Sequence, residues 1–230
     1  MSPAHAWAAA YFARRAGEIE TDAARFDEHR ACVMAAVLES GACLEATINE
    51  LFADAADHRD RLAGLALAAR EVLTDAWARP EVRRGPTVDK YAVAFQAIRG
   101  EPLNSGQGAC QTAELVLSLR NKLVHYAPEW APSACEGGRR PPDEPMGALR
   151  GKFPLHARYR DTGNPFWPLK CLGSGCARWA VVSAVAFVDE FSARAIDNAC
   201  TRLHDGDGLS RNHVVGLRCQ RDMQADIIAL

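Results

Sequence analysis

The stretch Thr112-Ala-Glu-Leu-Val-Leu-Ser-Leu-Arg-Asn-Lys-Leu-Val-His-Tyr-Ala127 carries two faces at helical spacing. Thr112, Val116, Leu119, Leu123 and Tyr126 recur at alternating steps of four and three and form an apolar stripe. Glu114, Ser118, Asn121 and His125 recur at the same steps on the other side. The pattern predicts a helix packed into a core with Asn121 and His125 on its polar face. Pro128 follows at once, which biases Ala127 away from helix and puts His125 in the last turn.

The chain around it reads the same way. Residues 1 to 127 are rich in Ala, Leu, Glu and Arg, with prolines only at positions 3, 80, 86 and 102. Helices are expected near 4–18, 27–56, 59–79, 87–99 and 108–127. Val33, Val37, Leu44, Ile48 and Leu51 give the second of these one buried face. Eight of the twelve prolines fall between Pro128 and Pro168, so about 128–175 reads as a long Pro/Gly-rich insertion. Helix returns at Cys176, where Trp179, Val181, Val182, Val185, Phe187, Val188 and Phe191 make a broadly apolar segment. No alternating β pattern of useful length occurs. The expectation is an all-α antiparallel helical bundle of one domain over 1–230, with the insertion before the last core helix and an extra C-terminal segment at about 204–230.

Composition narrows the function. At 230 residues, 48% apolar and 24% charged, the chain has ample material for a core. A formal charge of -2 excludes attraction of the whole molecule to nucleic acid or anionic lipid, leaving only local patches. Arg14, Arg15, Glu18 and Glu20 interrupt any signal-peptide core, and no apolar run is read as approaching a membrane span. The expected location is cytoplasmic, with no membrane partner. Eight cysteines read as reduced thiols, because a chain with this core needs no disulfide framework. Cys171 and Cys176 lack zinc-ligand spacing and Asp205-Gly-Asp-Gly meets Gly216 where a calcium loop needs Glu, so neither metal nor cofactor is expected. No Gly-Lys-Ser/Thr phosphate loop is present.

Arg120-Asn121-x-x-x-His125, late in an all-α chain, resembles the signature of HEPN domains, the helical domains of many prokaryotic RNA-cleaving toxins and defence effectors. Cys43-Leu-Glu-Ala-Thr-Ile-Asn-Glu-Leu-Phe52 is similar to the long early helix of HEPN-like bacterial proteins. The resemblance covers about 27–130 and the helix from Cys176. It implies metal-independent endoribonuclease chemistry in which the RNA 2′-hydroxyl attacks the adjacent phosphate. It also implies a homodimer that joins two motifs, and an antitoxin or regulatory protein as a further partner.

The residue types suit those roles. Histidine titrates near neutrality and serves as general acid or base. Arg120 would hold the phosphate with its planar fork, and Asn121 would orient the histidine or the RNA. Five residues on an ideal helix turn through about 140°, so Arg120 and His125 need a long side chain or a second subunit to converge. Glu45 and Asn49, four residues apart on the flank of the early helix, are expected to reach the motif helix, either to pair with Arg120 or as a buried structural bond. Tyr126 is a supporting candidate. Lys122, Arg139, Arg140, Arg150 and Lys152 are the expected RNA contacts, with Arg158, Arg160, Tyr159, Phe166 and Trp167 nearby, since cations beside aromatics suit single-stranded RNA. The rival reading is a catalytically inactive HEPN-like bundle that binds a nucleotide or a partner protein.

Overall fold

The computed structural model describes residues 1–104, 106, 108–125 and 146–197. They form an all-α bundle with no strand among them. In chain order the helices are α1 (Ser2–Ile19), α2 (Phe26–Asp57), α3 (Leu67–Ala78), α4 (Pro80–Arg83), α5 (Thr87–Arg99), α6 (Gly108–Val124) and α7 (Ser174–Ser192).

α2 is the central post, with α1, α3, α5, α6 and α7 packed around it. α1 presents Ala6, Ala9, Ala10, Ala13 and Ala16 inward, all buried. A face of methyl groups lets two helix axes approach towards the close end of the usual 8–10 Å range. α2 begins with Asp27 and Glu28 in its first turn, where negative charge suits the positive end of the helix dipole. Its stripe of Val33, Val37, Leu44, Ile48 and Leu51 is buried as the spacing predicts. Tyr91 of α5 is fully buried, donates to the Leu44 carbonyl at 2.9 Å and meets Phe187 and Phe191 of α7 edge-on, tying three helices together.

Four expectations change. The helix expected over 59–79 is broken: a short turn at Arg59–Leu62 precedes α3, with Gly64 in the connection. α6 ends at Val124, short of 127, consistent with the bias that Pro128 places on its predecessor. Thr112 is only partly buried, and the inward row of α6 is Cys110, Ala113, Val116 and Leu119. Val182 of α7 is exposed, because that helix is buried on most sides but not all.

The part of the insertion within the described residues, 146–173, is not a solvated loop. Leu149, Phe153, His156, Phe166, Trp167, Cys171 and Leu172 are buried, so this segment is a wall of the same core. The extra C-terminal segment lies outside the described residues.

α2 with its preceding turn, Ala23–Asp57, reaches a mean hydropathy of 1.5 over an 18-residue window, long and apolar enough to cross a membrane by length and composition. Ala and Cys between the larger residues raise the average without forming a visible apolar block, so this length of apolar helix does not stand out in the sequence. Of that window, 56% is buried against the other helices, as in the core helix of a bundle.

Candidate functional site

α6 sets the motif residues on two sides. Leu119 is fully buried, and Arg120, next in line, lies on the flank that faces α2. Its side-chain stem crosses Gly41, where a Cβ would stand only 3.1 Å from Arg120 Cγ. Arg120 Nη2 then donates to Glu45 Oε2 at 2.8 Å. Side-chain exposures of 25% and 43% leave this ion pair open to water. One carboxylate oxygen engages only part of a five-donor fork.

Asn121 and His125 are exposed on the opposite side, in line with Glu114 and Ser118 as the spacing predicts. The His125 backbone N–H donates to the Asn121 carbonyl at 2.8 Å, closing the last turn of α6 beneath the imidazole. Within one chain, therefore, the arginine is anchored on α2 while the asparagine and histidine face outward. Val124, between them and 55% exposed, adds an apolar surface to that end of the helix.

Glu45 meets α6 as expected, but Asn49 does not. One turn further along α2, its Oδ1 accepts from Lys90 Nζ of α5 at 2.9 Å. Lys90 is 3% exposed and its Nζ stands 6.0 Å from the centre of the Trp77 ring. The face of α2 has turned from α6 towards α5 by that point, which makes Asn49 a partner of a buried lysine.

Of the expected RNA contacts, Lys122 is half-buried on α6, and Arg150 and Lys152 are exposed in the described part of the insertion. The aromatics expected beside them are not available for stacking. Phe166 and Trp167 are buried, and the Arg150 guanidinium covers the Phe166 ring at 4.5 Å. Arg158 likewise lies over Phe26 at 5.2 Å and Tyr159 at 5.9 Å. Tyr126, Arg139 and Arg140 lie outside the described residues.

Sequence reading missed a second cluster. Glu20, His29 and His156 bring one ligand atom each to within 4.8 Å of one another. Positions 20, 29 and 156 share no motif spacing, and only the packing of the 146–173 segment against the α1–α2 turn joins them. The one available signal was a histidine in the apolar phase of α2, four residues before Val33.

No protein-family model, curated protein or solved structure matches the chain.

Proposed function

We propose that this chain is a metal-independent endoribonuclease of HEPN type, a toxin or defence effector of the cytoplasm that works as a homodimer on RNA. The observation that carries the reading is the division of the motif: Arg120 is held against α2 by Glu45, while Asn121 and His125 stand exposed at the end of α6. A positioned cation and an open imidazole are the parts that 2′-hydroxyl attack on a phosphate needs. Because they leave the helix on different sides, two copies related by a two-fold axis near α6 would complete the site, with Val124 in the contact. Lys122, Arg150 and Lys152 supply positive charge for the RNA backbone.

Purified chain incubated with mixed RNA should cleave it in the presence of EDTA and leave 2′,3′-cyclic phosphate ends, while DNA is spared. Activity abolished by EDTA and restored by Mg²⁺ overturns the mechanism.

The Arg120–Glu45 pair favours a second reading, since it gives the arginine a structural task. In that case the chain is an inactive HEPN-like bundle whose exposed Asn121 and His125 bind a nucleotide or a partner protein. It is distinguished by a parent protein that binds nucleotide through those residues and cleaves no RNA.

A further inference from the structure

His29 sits in the first turns of α2 and is 1% exposed, with neither ring nitrogen in a hydrogen bond among the described residues. His156 is 2% exposed, and its Nε2 has no such partner either. The two rings meet edge to face at 4.8 Å. Leaving a buried polar group unpaired costs about 1–3 kcal/mol, so two such rings side by side are an expensive way to fill space. Burial pushes both imidazoles below the usual histidine range, and for His29 the neighbouring His156 acts in the same direction. Neutral imidazole is the form that binds metal.

A carboxylate completes the set. Glu20, just past the end of α1, has a side chain only 13% exposed. The backbone N–H groups of Ala157 and Ser174 donate to its Oε1 at 3.1 and 3.4 Å, and the Ser174 hydroxyl donates to Oε2. These bonds hold the carboxylate in place at the start of α7. His156 Nδ1, whose lone pair accepts the Arg158 N–H at 3.1 Å and which therefore carries no proton, stands 3.7 Å from Glu20 Oε1. Gly173 makes the approach possible: a Cβ there would lie 2.6 Å from His156 Cα and 2.8 Å from Glu20 Oε1.

We propose that Glu20, His29 and His156 bind one divalent transition-metal ion of the zinc type, which fastens the 146–173 part of the insertion to the α1–α2 turn. Two imidazoles and a carboxylate are a common zinc donor set, and tetrahedral bonds of 2.0–2.1 Å put ligand atoms about 3.4 Å apart. Closing the present triangle asks the side chains to move by about 1 Å, with Nδ1 exchanging the Arg158 N–H for the ion. A pocket of about 20 Å³ touches His156 on the side of Phe26, Arg30 and Tyr159, with room for about one water, and neither Glu20 nor His29 lines it. Arg30 and Arg158 bring positive charge onto neighbouring Phe26, which opposes any divalent cation, so the ion must be one that bonds strongly to imidazole. Along α2, sixteen residues separate His29 from Glu45, about 24 Å of helix. The metal site is therefore separate from the α6 motif.

The full chain, stripped with chelator and titrated with Zn²⁺, should retain one ion per chain through gel filtration and melt at a higher temperature than the stripped protein. His29→Gln and Glu20→Gln should each weaken zinc binding by more than about 10-fold, the lower bound for losing a group that merely supports a ligand. Co²⁺ in the parent should give visible ligand-field bands that both variants lose. RNA cleavage below the melting temperature should not depend on the added ion, which keeps this test apart from that of the nuclease reading. A parent that retains no zinc and gains no thermal stability overturns the proposal, as does a His29→Gln variant that retains zinc as the parent does. Should a variant fail to fold, zinc retention and the Co²⁺ spectrum of the parent decide alone.

Discussion

Arg120 lies across the one place on α2 where the helix has no side chain, its Cγ only 3.1 Å from where a Cβ at Gly41 would stand. Glycine inside a helix costs about 0.5–1 kcal/mol relative to alanine, so the open groove over Gly41 is gained at the expense of helix propensity. Gly41→Ala should change stability by less than about 1 kcal/mol, its propensity gain offset by a tight contact that the flexible arginine stem can relieve. Gly41→Val should push the guanidinium off Glu45 and lower the proposed ribonuclease activity at least as much as Glu45→Ala does. Melting curves and cleavage rates on the two Gly41 variants check this; full activity in Gly41→Val would show that the arginine need not lie there.

The ion pair that this groove positions should contribute little to folding. Both side chains are partly solvated, and exposed pairs are worth about 0.2–1 kcal/mol. A double-mutant cycle of Arg120→Ala and Glu45→Ala should give a coupling energy within that range by urea unfolding. Activity should behave differently: Arg120→Lys keeps the charge but loses the fork, and should restore little cleavage.

The stripe of α2 and the polar face of α6 with Asn121 and His125 were legible because helical periodicity is local, whereas of the expected α6 stripe only Val116 and Leu119 are fully buried among the described residues. Glu45 was legible as a partner of Arg120 from its place on the flank of the α2 stripe. Asn49 makes the structural bond that its position also allowed, but with α5 instead of α6, because a single turn of helix rotates it and no pattern within α2 encodes which neighbour waits there. The burial of Phe166 and Trp167 was hidden for a related reason. Proline and glycine density signals irregular backbone and says nothing of whether that backbone carries core side chains. The Glu20, His29 and His156 cluster depends wholly on contacts between distant segments.

Asn49 and Lys90 should show an asymmetry. Asn49→Ala leaves a nearly buried Lys90 Nζ without its acceptor at 2.9 Å, a loss of about 1–3 kcal/mol. Lys90→Met keeps the stem and leaves a half-buried asparagine that can turn to water, so it should cost less than about 1.5 kcal/mol. Adding Lys90→Met to Asn49→Ala should recover stability. Chemical denaturation of the three variants gives the comparison, and equal losses for both single variants would contradict it.

The five cysteines among the described residues, Cys32, Cys43, Cys110, Cys171 and Cys176, are all buried and free. Burial pushes the Cys43 thiol up to about 11, and a hydrogen bond with Cys171 together with burial pushes Cys176 well above the usual range. Thiols, unlike thiolates, are poor nucleophiles. Peptide mapping after brief iodoacetamide treatment at pH 8 should find these five unmodified in the native protein and modified after denaturation. Rapid native labelling of Cys43 would mean that α2 opens locally.

His125→Ala separates enzyme from scaffold. The imidazole is exposed at the end of α6, and surface substitutions of this kind change stability by about 0.5 kcal/mol or less. Removing a general acid or base typically lowers the rate by about 10²- to 10⁴-fold. The variant should therefore melt with the parent, keep the parent's oligomeric state and lose cleavage, and its expression should relieve any growth arrest that the parent imposes on a bacterial host. Mixing it with Arg120→Ala tests the two-copy site directly. If each active site takes its arginine from one subunit and its histidine from the other, heterodimers of the two inactive variants should regain one intact site in two. If both residues act within one subunit, each heterodimer subunit carries a defect and the mixture should stay inactive. Recovered cleavage in the mixture, with both parents of it silent, is the result expected from an arginine held against α2 and a histidine facing outward on the same helix.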